Sequence, residues 1–169
     1  VAISNMLIHM YAKSGCLREA RSVFCGLESE NLQESESGSR FQRDSISWSA
    51  LISGYAQHGC GHSAFALYEE MLEEGIQPDK SVLSSILNAC GSIHAIHQGR
   101  QIHDQICRHG IALDVVVEGT LIDMYVKCGE IWDARRVFDR LPNQDCISWS
   151  TMILGYAQHG HGILALKLF

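Results

Sequence analysis

The sequence predicts an all-α fold, an α-solenoid of stacked helix-turn-helix repeats. Three observations lead there. Segments recur at a fixed offset, apolar residues fall at helical spacing, and glycine rather than proline punctuates the chain. Among 169 residues there are 15 glycines but only two prolines, Pro78 and Pro142, so the strongest helix breaker is missing from most of the length. Hydrophobic residues make up 46% and charged residues 19%, a composition that folds and excludes a disordered tail. No apolar run is long enough for a membrane-spanning helix. The 13 Lys and Arg against 19 Asp and Glu give a net charge of -6. That excludes a protein that coats nucleic acid through bulk charge, so any such binding needs a locally arranged surface.

The repeats place each element. Ile46-Ser47-Trp48-Ser49 recurs as Ile147-Ser148-Trp149-Ser150, and Gly54-Tyr55-Ala56-Gln57-His58-Gly59 as Gly155-Tyr156-Ala157-Gln158-His159-Gly160, both 101 residues on. A second family pairs Met10-Tyr11-Ala12-Lys13-Ser14-Gly15 with Met124-Tyr125-Val126-Lys127-Cys128-Gly129, followed by Ala20-Arg21-Ser22-Val23-Phe24 and Ala134-Arg135-Arg136-Val137-Phe138. The offset divides into lengths of 35, 35 and 31, and cutting after each acidic residue that precedes an apolar run gives 1–44, 45–79, 80–114, 115–145 and a truncated 146–169. That is about 4.5 repeats.

Each complete repeat reads as two helices. The first helices lie roughly at 2–14, 46–58, 81–93, 116–128 and 147–159. In the second helix of 45–79, Ala64, Leu67, Tyr68 and Met71 share one face while Glu69, Glu70, Glu73 and Glu74 face out. Gly75-Ile76-Gln77-Pro78-Asp79 then closes it with glycine and proline where a C-terminus needs them. Such a pair cannot bury its apolar stripe alone, but stacked neighbours can. The first repeat carries extra acidic Ser/Glu-rich sequence at 27–43, which reads as a solvated loop. The sequence opens at Val1 and stops at Phe169 inside helical pattern, so it reads as one array segment, 1–169, of a longer chain.

Helix pairs of this length ending in Gly-Ile-Gln-Pro-Asp resemble pentatricopeptide repeats. The rotation of 35, 35 and 31 resembles the long/short triplet subclass of plant organellar proteins in that family. Ile46 to Pro78 resembles a standard repeat, Ser84 to Gly110 a long one, and Leu121 to Gly129 with Asp133 to Pro142 a short one. The resemblance implies a right-handed solenoid and a modular binder of single-stranded RNA, about one nucleotide per repeat. It implies work in the mitochondrion or chloroplast, where transcripts are positioned for editing, splicing or processing with protein factors. It implies no cofactor, membrane or small-molecule substrate.

The resemblance also implies site residues. The base-contacting positions are Asn5, Ser49, Ser84, Gly119 and Ser150. The base-supporting positions are Asp44, Asp79, Asp114 and Asp145, and the base-wedging positions are Ala2, Ile46, Val116 and Ile147, with Ser81 a poor wedge. The implied preference is U-G-x-x-(G or A), with Gly119 nearly blind for want of a side chain. Simpler readings stand beside these. The four aspartates each precede a helix and also suit N-caps, Ser49 and Ser150 suit any first turn, and Ile46, Val116 and Ile147 suit a core.

Charge bears on this. Of the acidic residues only Glu118 and Asp123 fall in the first helices, and Lys13 and Lys127 hold equivalent places where a phosphate could pass. A face spared from acid accepts a phosphate backbone despite the net charge. First helices buried on both sides would exclude charge equally well.

Enzymatic or metal chemistry is not expected. His58, Cys60 and His62 are separated by Gly59 and Gly61, which break the helix that would align them. His94 and His97 could share a helix face but have no third ligand nearby. Gly-rich stretches at 59–61 and 160–162 lack the lysine of a phosphate loop. The seven cysteines form no two-residue spacing and read as small buried side chains in a reducing compartment. The competing readings are a protein-interaction scaffold of tetratricopeptide type, whose period of 34 is steady, and an array that mainly contacts a protein cofactor.

Overall fold

The computed structural model describes residues 2–29, 44–108 and 114–168. They form ten helices and no strand. In order these are α1 (Ala2–Lys13), α2 (Leu17–Ser29), α3 (Ser45–Gln57), α4 (Gly61–Glu73), α5 (Lys80–Ser92), α6 (Ile96–Arg108), α7 (Val115–Lys127), α8 (Ile131–Arg140), α9 (Cys146–Gln158) and α10 (Gly162–Leu168). The helix α2 runs through Ser29, into the stretch read from sequence as a loop; 30–43 lie outside the described residues.

Odd- and even-numbered helices pair across three-residue turns, and one device builds all five. The middle turn residue is left-handed: Gly15, Gly59, Gly129 and Gly160 at φ 75 to 83°, and His94 at φ 52°. The next amide donates back five residues, as Cys16 to Tyr11, Cys60 to Tyr55, Ala95 to Cys90, Glu130 to Tyr125 and His161 to Tyr156, at 2.8–2.9 Å. These are Schellman closures. Glycine enters the left-handed region without a Cβ penalty, and histidine is among the few side chains that tolerate it. Because His94 sits in a turn, it does not share a helix with His97, contrary to the sequence expectation.

The described residues divide into two compact units, 1–86 and 87–169. In the first, α1 packs on α2 and α3, and α3 packs on α2 and α4. Its core holds Ile8, Phe24, Trp48, Leu51, Ile52, Ala64, Leu67, Tyr68 and Met71, each at most 2% exposed. Phe24 meets Trp48 edge-on at 4.6 Å. In the second, α7 packs on α6, α8 and α9, and α9 packs on α8 and α10. There Phe138 meets Trp149 edge-on at 4.9 Å. The sequence repeat of Phe24 and Trp48 in Phe138 and Trp149 is therefore a repeat of one packing contact, worth about 0.5–1.5 kcal/mol beyond area burial.

Close helix crossings depend on glycine. A Cβ on Gly54 would lie 2.5 Å from that of Ala12, so α1 and α3 touch nearly backbone to backbone. A Cβ on Gly155 would lie 2.9 Å from methyl carbons of Ile131 and Val126. The cysteines depart from their expected burial. Only Cys90 is buried, while Cys16, Cys25, Cys107 and Cys146 are exposed. Cys25, Cys107 and Cys146 fall on outward faces of their helices, and Cys16 lies in the turn between α1 and α2.

Candidate nucleic-acid interface

Aspartate starts four of the first helices. Oδ1 of Asp44, Asp79, Asp114 and Asp145 accepts from the backbone N–H of Ser47, Val82, Val117 and Ser148 at 2.8–3.0 Å. Each satisfies an amide that has no partner within its helix. Ser47 and Ser148 return the favour, donating from Oγ to the carbonyls of Asp44 and Asp145 at 2.9 Å, and both serines are buried. The capping role of the four aspartates is thus geometric fact.

Asp44 does more. Its second oxygen accepts from the side-chain amide of Asn5 at 2.9 Å, joining α1 to the start of α3 across 39 residues. Burial pushes the Asp44 carboxyl up, but hydrogen bonds from Ser47 and Asn5 outweigh it and hold the group below its ordinary value. At Asp145 the Ser148 amide and hydroxyl likewise hold the carboxyl low. A carboxylate only accepts, so the Asp44 contact fixes which end of the Asn5 amide is which. The Asn5 Oδ1 is left as a buried acceptor with no hydrogen-bond partner in the structure.

Asn5 lies in a groove of about 620 Å³ within the first compact unit. From α1 the groove takes Asn5, Met6, His9, Ala12 and Lys13. From α3 it takes Ile46, Ser49, Ala50, Ser53, Gly54 and Gln57, and Asp79, Ser81 and Ser85 close it. Asn5, His9 and Lys13 are spaced by four, as are Ser49, Ser53 and Gln57, so each set lines one helix face. Ser53 and Ser85 join by their hydroxyls at 2.8 Å.

The second compact unit has a groove of about 460 Å³ lined by Asp123, Val126 and Lys127 of α7 and by Cys146, Ile147, Ser150, Thr151, Leu154 and Gln158 of α9. The Ser150 hydroxyl donates to its own helix, to Cys146 O at 2.6 Å, which leaves it only acceptor lone pairs.

The predicted residues divide accordingly. Asn5, Ser49, Ile46, Lys13 and Asp79 meet in the first groove; Ser150, Ile147 and Lys127 meet in the second. Ser84 is half-buried and lies outside the first groove, which Ser81 and Ser85 line instead. Gly119 opens on empty space. Ile46, Val116 and Ile147 are 66%, 66% and 71% exposed, so these three are not core. Ala2 begins α1, and its side chain is outside the described residues. Lys127 is not free: its Nζ lies 2.6 Å from Asp123. Sequence reasoning missed His9, Ser53, Gln57, Ser85, Thr151, Leu154 and Gln158. Four-residue steps from positions 5 and 49 would have found His9, Ser53 and Gln57. Among the described residues no group of His, Cys, Asp and Glu is placed to hold a metal.

Comparison with known proteins follows the same lines. A family model described as a PPR repeat family matches residues 43–92, and one described as a PPR repeat matches 3–32, 119–146 and 147–169. A pentatricopeptide repeat-containing protein of Arabidopsis thaliana is 40% identical over 98% of this chain and 21% of its own length. Another, named as chloroplastic, is 38% identical over 100% of this chain and 30% of its own length; further relatives are named as mitochondrial. The chain spans about a quarter of the length of the curated relatives it matches. The crystal structure of the pentatricopeptide repeat protein PPR10 from maize superposes with a TM-score of 0.77 at 18% identity, over 99% of this chain and 23% of that one. That likeness shows the fold, a solenoid of stacked helix pairs.

Proposed function

Because this chain belongs to the pentatricopeptide repeat family, we propose that it binds single-stranded RNA with sequence selectivity along the first-helix grooves. The observation that carries the reading is the Asn5–Asp44 contact. The carboxylate locks the amide and leaves Oδ1 as an unpaired acceptor in a groove lined by exposed Ile46 and by Lys13. A buried acceptor without a partner costs about 1–3 kcal/mol, and a base that brings a donor, such as uracil N3–H, relieves that cost. Ser49, with Asp79 in the same groove, meets the next base. Asp114 and Asp145 support bases as well as capping, and Ile46, Val116 and Ile147 insert between bases. The preference is U-G-x-x-(G or A). The repeats track about one nucleotide each, Gly119 being nearly blind, in an organelle, chloroplast or mitochondrion. They present a transcript to protein factors for editing, splicing or processing.

The test is fluorescence anisotropy at low salt with short RNAs carrying U-G-x-x-G, scrambled RNA, the same sequence as DNA, and the variants Asn5→Ala and Ser49→Asn. Tighter binding of the matched RNA, with preference lost at the first base in Asn5→Ala and shifted at the second in Ser49→Asn, supports base readout. Binding without sequence preference leaves an RNA surface and rejects the base assignments. No binding by folded protein rejects the reading in favour of a protein partner.

A further inference from the structure

We propose that Asp123 silences the phosphate contact of Lys127, so that the α7–α9 groove adds little electrostatic affinity while the α1–α3 groove holds the RNA backbone. The inference rests on the RNA reading and deepens it by naming a residue that weakens binding. Lys13 and Lys127 occupy the same place in their repeats, and both line a groove. Four residues earlier, His9 stands in the first groove and Asp123 in the second. The Asp123 carboxylate sits 2.6 Å from Lys127 Nζ. The lysine stem is also held. A Cβ on Gly91 would come within 3.2 Å of its Cδ, so the chain lies flat against α5 with the ammonium facing the acid.

Three consequences follow physically. A lysine already neutralised by a carboxylate has released its counterion, so phosphate binding there gains little more. A phosphate that reaches Lys127 also meets the negative charge of Asp123 in the same groove. The pair is also a favourable i,i+4 contact on an isolated helix, which the lysine gives up if it turns to a phosphate. Lys13 has no ion-pair partner among the described residues, and His9, four residues earlier, carries no carboxylate to place beside it.

The test is a salt series of anisotropy titrations with one RNA. The proteins are wild type, Lys13→Ala, Lys127→Ala, Asp123→Asn and the double variant Asp123→Asn/Lys127→Ala, each checked for helicity by circular dichroism. Asp123→Asn keeps the size of the side chain and removes its charge. The expected result is several-fold tighter binding by Asp123→Asn at low salt, with the log–log salt slope steeper by about 0.7, one single-strand phosphate contact. The double variant loses that gain. Base preference stays the same throughout. In the wild-type background Lys13→Ala weakens binding several-fold and Lys127→Ala barely changes it. The proposal is overturned if Lys127→Ala costs as much as Lys13→Ala, or if Asp123→Asn changes neither affinity nor slope while wild type binds. Absence of RNA binding by wild type itself, with helicity intact, rejects the RNA reading and this inference together, and is distinguished by that control.

Discussion

The two grooves are built from the same repeat positions and differ in what those positions carry. On α3 and α9 the correspondence is close: Ile46 with Ile147, Ser49 with Ser150, and Gln57 with Gln158 line their respective grooves. On α1 and α7 it breaks. The position of Asn5 is taken by Gly119, and that of His9 by Asp123. Asp44 therefore has an amide to hold, whereas the position equivalent to Asn5 in the second region is Gly119, which offers Asp145 no side chain to hold, and the Asp145 carboxylate caps its helix. One architecture thus produces a groove with an oriented polar side chain and a lysine that has no ion-pair partner among the described residues, and a second with neither. The backbone is set by caps, turns and glycines that both regions share; the groove chemistry is set by residues on which the fold makes no demand.

Glycine crossings should separate the two regions most strongly. Gly54→Ala drives a Cβ to 2.5 Å from Ala12 Cβ and 3.1 Å from its Cα, with backbone on both sides unable to yield. A loss of about 2–3 kcal/mol is expected, read as a lower urea midpoint. Gly155→Ala meets the methyl ends of Ile131 and Val126, which can rotate, so about 1 kcal/mol is expected. Equal losses would mean that α1 and α3 sit farther apart than described.

The caps come next. Asp145→Ala removes one N-cap and should lower the urea midpoint modestly. Asp44→Ala removes a cap and also strands the Asn5 amide, so its cost should exceed that of Asp145→Ala by about 1 kcal/mol. A double-mutant cycle of Asp44→Ala with Asn5→Ala would measure that excess as coupling energy.

Acid should act at both caps through their lowered carboxyls. A carboxyl whose folded value is depressed contributes stability above its unfolded value of about 3.9 and loses it as pH falls through the folded value. Thermal melts from pH 5 downward should decline more steeply in wild type than in Asp44→Asn.

A smaller effect sits in the second compact unit. Burial pushes the His103 imidazole down, its Nδ1 2.8 Å from the Tyr125 hydroxyl, whose own value burial pushes up to about 12. Protonation is then harder in the folded state. The stability this gives is full above the ordinary histidine value of about 6.5 and falls as pH drops below it. The melting point of wild type should slip between pH 7 and 5.5 by more than that of His103→Gln.

Much of this was legible beforehand because it is local. The Lys-Ser-Gly and Lys-Cys-Gly turns, the recurring Gln-His-Gly turn, the buried face of Ala64, Leu67, Tyr68 and Met71, and the acid before four of the first helices are decided by neighbours within a few residues. So is the Asp123–Lys127 pair, set by its four-residue spacing on one helix. The sequence by itself determined that the chain would be helical, where its helices would start and turn, and to which family it belongs. Tertiary structure alone decided that Asn5 reaches Asp44, that Ser85 rather than Ser84 borders the first groove, that Ile46, Val116 and Ile147 face out, and that four cysteines do as well. The reason is physical. Helix periodicity places a residue on a face, but only packing against a second helix decides whether that face meets core, groove or water.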